Sequence, residues 1–437
     1  MKKGFLYILI VLAAVTSCQK EDDPVFDQSP DERINEALAV YQSELVDAPY
    51  GWKAIVIPAG AQGGVFSFYF RFNDSNRVEM FSDFDSLSAV TVKESSYRLK
   101  ALQQPSLVFD TYSYLHVLSD PDASNNGGSY GQGLGSDFEF AIEGMSGDTM
   151  KLRGRFHGSK AMLVKATQEE ANDFYNKEFG NRLLDNIDQY ITYFKRLVIG
   201  GKHYDISVNK FLHTITLSWV DADGNIKAVT TGYYYTIDGI DLYPAITDGA
   251  TTIDEFNDIA WDAASTTLSF DVNGAGAAIE GSGQPLQIDT EAPRRWWQQA
   301  VDEDRYWVSL EGFHVNGVDD AFQVMQTPDY YFMIFWPRFD ASGGVTYDLG
   351  GYVKYNGGAP GIAYGTAYRP PTFTTDGRAV FNWYGTLGTV PASDSMAVAD
   401  TRVQFTDADG YYFIQTGTNT YDMVSAKDGK AWITWEW

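Results

Sequence analysis

Apolar positions recur along the chain with two periods, and the switches between them mark out its elements. Ile34, Leu38, Tyr41 and Leu45 fall at spacings of four, three and four, one face of a helix. Ser29 ahead of them suits an N-cap, Pro30 the first helical position and Glu32 the closing residue of a capping box, while Pro49 predicts the stop. From Gly51 to Val164 the period falls to two. Residues 66–72 predict a strand, Asn73-Asp74-Ser75-Asn76 a turn and residues 77–81 the return strand of a hairpin. Further strands are expected at 96–101, 106–109, 137–143, 149–156 and 160–165, with a polar glycine-rich loop over 124–135.

Thr167 and Glu170 form a second capping box, opening a helical segment that breaks at Gly180 and ends near Phe194. Strands resume at 203–208, 214–220 and 227–236, the last two joined through Asp221-Ala222-Asp223-Gly224-Asn225. Residues 268–272 close this block, and the Gly-, Ala- and Ser-rich stretch 273–284 predicts a linker. A short helix over 293–300 carries Trp296 and Trp297 and introduces a third β-rich block. In its final strand Ile433, Trp435 and Trp437 share one face, and Trp432, Thr434 and Glu436 the other. Each block thus opens with a helix and continues as strands, although no residue-level repeat supports duplication. The expected fold is mainly β (α+β), with antiparallel β-barrel or sandwich modules over 29–166, 167–285 and 286–437, each introduced by a short helix.

The N-terminus has a different character. Lys2 and Lys3 precede an apolar run from Gly4 to Val15, too short to span a bilayer, so residues 1–17 are expected to be a signal peptide. The run Leu12-Ala13-Ala14-Val15-Thr16-Ser17-Cys18 resembles a bacterial lipobox and holds the chain's one cysteine. Cys18 is therefore the expected lipidation site, at the head of an acidic tether over 18–28. Acyl chains contribute about 0.8 kcal/mol per buried methylene, so a triacylated cysteine would be a firm anchor. Lys20, Glu21 and Asp22 just after it resemble the lipoprotein export signal of Bacteroidota, which directs proteins to the outer face of the outer membrane.

Removing Lys2 and Lys3 with the signal peptide leaves 30 of the 32 basic residues against 58 acidic ones, a formal charge of −28. That balance argues against nucleic acid and against direct contact with anionic headgroups, leaving the lipid as the expected membrane contact. A chain of 437 residues exceeds what one core organises, and 15% aromatic content with 41 glycines suits sheets with tight turns. With its one cysteine acylated, the chain must be held by core packing and sheet closure rather than by disulfides.

Candidate catalytic motifs are weak. Gly127-Gly128-Ser129-Tyr130-Gly131 matches the G-x-S-x-G pattern, but a nucleophile elbow needs a strand before and a helix after, and this serine falls in a polar loop. Gly131, Gly133 and Gly135 likewise lack the helix a phosphate cradle requires. His116, His157, His203, His213 and His314 show no H-E-x-x-H spacing; His203 and His213 could meet as hairpin partners. Asp221-Ala222-Asp223-Gly224 and Asp407-Ala408-Asp409-Gly410 lack the later ligands of a calcium loop, so both are expected to be hairpin turns. The 58 acids offer many glycosidase-like pairs and single out none. No metal site and no cofactor is implied. Eight of the eleven tryptophans lie from Trp296 onward. Most suit a core, while Trp432 is the expected exposed member and candidate ligand contact.

Five segments together resemble the Bacteroidota lipoproteins of domain-of-unknown-function family 4302. They are Ala48-Pro49-Tyr50-Gly51-Trp52, Ser96-Tyr97-Arg98-Leu99-Lys100, Leu107-Val108-Phe109-Asp110-Thr111-Tyr112 with Leu115-His116, Ser136-Asp137-Phe138-Glu139-Phe140 and Lys151-Leu152-Arg153-Gly154-Arg155. The resemblance implies a setting beside nutrient-import systems of the SusC and SusD type, often with a zinc-metallohydrolase-like lipoprotein nearby, and carries over no catalytic residue. The expected function is a non-catalytic binding or accessory component of such a system, taking a glycan or peptide. The alternatives are a hydrolase with a site assembled from separate strands and a purely structural surface protein. Cys18→Ser is expected to abolish incorporation of labelled fatty acid and to move the protein from the membrane to the soluble fraction. Retained labelling would overturn the lipobox assignment.

Overall fold

The computed structural model describes residues 29–339, 346–355 and 357–437. The lipidation and export residues Cys18, Lys20, Glu21 and Asp22 lie outside them. Helix α1, Pro30–Val46, begins with the expected reciprocal cap: Glu32 N–H donates to Ser29 Oγ at 3.2 Å, and Ser29 N–H to Glu32 Oε2 at 2.9 Å. Eight strands follow: β1 Trp52–Ile57, β2 Phe66–Phe72, β3 Arg77–Ser82, β4 Lys93–Leu102, β5 Gln104–Phe109, β6 Glu139–Ser146, β7 Thr149–Gly154 and β8 Lys160–Lys165. Two short helices, α2 Ser86–Val90 and α3 Tyr114–Val117, interrupt them. Each strand pairs antiparallel with the next, and β8 returns to β1 with Trp52 opposite Lys165, closing a barrel.

Alternation decides what the barrel encloses. Phe66, Phe68, Phe70 and Phe72 share its interior with Met80, Tyr97 and Phe109. A closed wall admits a helix side chain only through an end, and Leu45 of α1 joins this cluster. The Trp52 indole N–H donates to the Leu45 carbonyl at 3.1 Å and the Gln42 amide to the Tyr97 hydroxyl at 2.8 Å, so α1 stoppers the barrel.

The second unit repeats the plan. Helix α4, Gln168–Tyr175, carries the Thr167–Glu170 box, and 3₁₀ turns at Glu178–Gly180 and Leu183–Gln189 follow. Its strands are β9 Phe194–Ile199, β10 Lys202–Asn209, β11 Thr214–Val220, β12 Ile226–Tyr235, β13 Gly239–Asp248, β14 Thr251–Asp262, β15 Thr267–Val272 and β16 Ala275–Ser282. They also close a barrel, β16 pairing with β9 from Ala277 opposite Ile199 to Ser282 opposite Phe194. The stretch 273–284 is therefore mostly a closing strand and not a linker. Its small residues carry a loop-like composition, but β9 and β15 supply its hydrogen bonds from both sides. Leu184, Ile187 and Tyr190 enter this interior, and the Tyr190 hydroxyl accepts the Leu268 N–H at 2.8 Å.

Helix α5, Ala292–Asp302, introduces the third unit: β17 Trp307–Ser309, β18 His314–Val315, β19 Tyr330–Phe339, β20 Tyr347–Tyr355, β21 Pro360–Phe373, β22 Ala379–Leu387, helix α6 Ser395–Phe405, β23 Tyr411–Gly417, β24 Thr420–Ser425 and β25 Ala431–Glu436. The sheet bends back on itself, Val308 of β17 meeting Glu436 of β25. Trp296 of α5 lies among Trp307, Phe335, Phe413 and Trp435, and the Trp307 indole donates to the Trp296 carbonyl at 2.9 Å. The first residues of β1 and β17 thus tie their sheets to the preceding helix by the same bond. Asp407–Gly410 joins α6 to β23, so it is a helix-to-strand turn rather than the expected hairpin.

The first two barrels meet through buried polar groups. Asp83, fully buried after β3, accepts the Ser67 N–H of its own barrel and the Tyr235 N–H of the next, both at 2.9 Å. The Ser67 hydroxyl donates to the Tyr235 carbonyl, and the Arg182 guanidinium to the Asp83 carbonyl and, at 2.9 Å, to Asp185. His213, at φ +50°, lies between Phe66 and Tyr233 with Nδ1 3.1 Å from the Val65 carbonyl. The backbones touch: a Cβ at Gly232 would strike the Gly63 carbonyl, and one at Gly64 that of Leu212. The third unit docks on the second through Phe194, Tyr412 and Val424, with the Tyr193 hydroxyl donating to Asp422 at 2.6 Å.

Burial raises the Asp83 carboxyl to about 7 despite the opposing Arg182 charge, and lowers His213 to about 3. Folded protein therefore keeps a proton on Asp83 that the unfolded chain releases near its ordinary value of 3.8. Stability from this group is full below that value and is lost as pH rises through 7. His213 acts in the opposite sense, favouring the fold above its ordinary 6.5 and losing that contribution as pH falls through 3. Denaturant titrations of wild type and Asp83→Asn are expected to show a stability difference that shrinks as pH rises from about 4 to about 7, by at most about 1.4 kcal/mol per unit. A difference independent of pH would show that Asp83 is ionised in the fold.

Candidate functional site

Filled, stoppered barrels leave the outer surface as the place for chemistry. Two open hollows lie on the second unit, about 520 Å³ beside Val198, Ser269 and Ala278, and about 320 Å³ beside Asn181, Leu183 and Asp238. No group of three His, Cys, Asp or Glu residues placed to hold a metal occurs among the described residues.

The motifs singled out by sequence take local roles. Ser129 lies in an exposed loop where its N–H and the Gly133 N–H each donate to the other's carbonyl at 2.9 Å, and the next long element is a strand, not a helix. Gly131, Gly133 and Gly135 belong to the same loop, all at positive φ. His203 is exposed opposite Val198 while His213 is buried against the first barrel, so the two do not meet. Asp221 forms the β11–β12 turn as expected, Oδ1 accepting the N–H groups of Asp223 and Asn225 at 3.0 and 2.8 Å. Ser113 and His116, 3.0 Å apart, look like a nucleophile and base but cap α3. Burial lowers the His116 pKa, and its ring is stacked between Tyr112 and Phe138.

The tryptophans divide clearly. Trp296, Trp307 and Trp435 are fully buried. Trp432, the expected exposed member, is half-buried: His314 stacks on it at 3.7 Å and Tyr193 meets it edge-on at 5.5 Å. Strand alternation placed it on the outer face correctly, but the second barrel's Tyr193 covers that face. Trp383 is the exposed one, at 53%.

A row of rings crosses the outside of the third sheet. Tyr306, just before β17, lies 5.2 Å from Trp336, which lies 5.2 Å from Phe339; Phe339 is 5.9 Å from Tyr347, and Tyr347 is 6.3 Å from Tyr384 on β22. Between the last two, β21 contributes Arg369, whose guanidinium sits 5.0 Å from the Tyr384 centroid. On the preceding residue of β22, Arg402 of α6 sits 4.7 Å from the Trp383 centroid. Phe335, Tyr368 and Phe381 of the same strands point inward, which turns Trp336 and Arg369 out. Phe339 follows an irregularity in pairing, so simple alternation does not find it.

The family model for the domain of unknown function DUF4302 matches residues 22–263. The chain belongs to the DUF4302 family. The match takes in the whole first barrel and the second through β14, and the ring row lies beyond it. No curated protein matches this DUF4302 member. Among solved structures, a mutant of transferrin binding protein B, a vaccine antigen of Haemophilus parasuis Hp5, is 10% identical, with 88% of this chain and 74% of that one covered at a TM-score of 0.15. So loose a superposition carries no argument about fold or ligand.

Exposure makes the rings separable by spectroscopy. Trp383→Phe is expected to remove more acrylamide-quenchable indole emission than Trp432→Phe, with no loss of melting temperature. The reverse order would show that the second barrel does not cover Trp432.

Proposed function

We propose that this chain is a surface-exposed, lipid-anchored and non-catalytic binding or accessory component of an outer-membrane nutrient-uptake system. Cys18 carries the lipid, Lys20, Glu21 and Asp22 direct it outward, and a SusC/SusD-type complex is the partner. The observation that carries the binding role is the row from Tyr306 through Trp336, Phe339 and Tyr347 to Tyr384. Tyr306 and Tyr384 are exposed and Trp336 partly so, and apolar ring surface open to solvent stacks on the C–H surfaces of sugar rings. The row crosses from β17 to β22, and strands about 4.8 Å apart make it a long platform rather than a single contact. A glycan is therefore the ligand class, with an aromatic peptide the second choice on the same surface.

Affinity electrophoresis or retention on immobilised polysaccharides tests the role. Wild type is expected to be retarded by at least one glycan, with Trp336→Ala and Tyr384→Ala each weakening retention roughly three- to tenfold without lowering the melting temperature. Folded protein retained by no glycan or peptide, or retention untouched by loss of the rings, would sink the proposal.

A further inference from the structure

In the first two units every strand pairs on both sides, but in the third β22 and β23 meet at one position, Ala379 opposite Tyr411, and then part. From Val380 to Leu387, β22 is laddered only to β21. Among the described residues the one further bond to its backbone comes from its own Trp383 indole N–H, which donates to the Gly385 carbonyl at 2.8 Å. Trp383 marks the opening: it shares the inward face of Phe381, which is buried, yet is 53% exposed. Helix α6 does not close the seam. It reaches β22 from inside, with Phe405 against Phe381 and Arg402 on Trp383, and turns Met396 and Val403 to solvent, 72% and 65% exposed.

Free edges are ordinarily protected by charged side chains, proline, a bulge or a covering segment. Residues 379–387 carry neither a charge nor a proline, and an irregularity at Tyr384 twists the strand without giving it a partner. What fits a row of unpaired N–H and C=O groups is another extended backbone, with side chains suited to those they meet. Two chains of net charge −26 repel each other at long range, so copies meet at least cost where neither adds charge. A second β22 meets that condition: it offers the same free edge and sets no like charges opposite each other. We propose that the free edge of β22 pairs antiparallel with β22 of a second copy of this chain, joining two third units into one sheet. Such pairing is closed by a two-fold axis, so assembly stops at two copies. The axis is normal to the sheet and keeps both outer faces on one side, so the two ring rows run end to end through their Tyr384 residues. One pair of strands buries less than the about 1,200 Å² of a stable complex, so the dimer is a weak, reversible one.

The test uses the full chain carrying Cys18→Ser, so that an introduced cysteine is its only thiol. Sedimentation velocity of this chain is expected to show a dimer growing as concentration rises from about 1 µM to about 300 µM. Asn382→Cys and Thr386→Cys, at exposed positions of the edge strand, should each give about tenfold more disulfide-linked dimer on mild oxidation than Ser75→Cys in the exposed β2–β3 turn of the first barrel. Combining Asn382→Cys with Thr386→Lys sets like charges opposite each other and should bring the yield down to that of Ser75→Cys, with no loss of melting temperature. Monomer at every concentration overturns the proposal, and binding of a Thr-Val repeat peptide by that monomer would assign the edge to a foreign strand instead. Edge cross-linking no greater than that of Ser75→Cys, or a dimer indifferent to the lysine, overturns it as well, and none of these outcomes bears on glycan retention.

Discussion

A sheet that closes on itself has no edge to offer, an interior that must be filled and two ends that must be covered, and most of this molecule follows from meeting those demands. Alternate residues of the strands supply the filling, with rings such as Phe68, Tyr233 and Trp435 taking the volume. A segment placed just before each unit's first strand supplies a stopper, through Leu45 in the first, Leu184 and Tyr190 in the second and Trp296 in the third. The Trp52 indole satisfies the Leu45 carbonyl, for which Pro49 offers no N–H, and the Trp307 indole adds a bond to the Trp296 carbonyl. Closure and filling stand in for the cross-links that a chain with one cysteine cannot make.

The same economy decides where function can lie. An eight-stranded barrel can hold a small ligand only if side chains leave room, and here clusters of buried side chains occupy both interiors. Recognition is displaced to the outer faces, and much of the outer face is spent on docking one unit against the next. Tyr69 and Phe81 of the first barrel are covered by Phe174, and Trp432 of the third by Tyr193. The ring row and Arg369 lie on the outer wall of the third unit. They also fall beyond the segment matched to the family, so the surface that would choose a ligand sits on the part of the chain the family model does not describe.

Features set by neighbours in sequence were legible in the sequence. The caps at Ser29 and Thr167, the hairpin of residues 66–81 and the Asp221 turn need only a few adjacent residues, and each forms as its local chemistry dictates. Features set by distant partners were not. Strand β16 looks like a loop until β9 is placed beside it, and His213 looks like a free ligand until Val65 and Phe66 close over it. The candidate surface fails for a third reason. Its rings come from the residue before β17 and from β19, β20 and β22, with an arginine from β21 between them, and a pairing irregularity shifts Phe339 out of simple alternation. An indole that alternation did turn outward, Trp432, met a neighbouring unit instead of solvent.

The carboxyl of Asp83 has a consequence for how such proteins can change over generations. One oxygen answers to the first barrel and the other to the second. Neither barrel can be cut away and grafted elsewhere without stranding a buried polar group and baring the faces where Gly64 and Gly232 let two backbones touch. The two barrels are therefore one unit, to be kept or moved together.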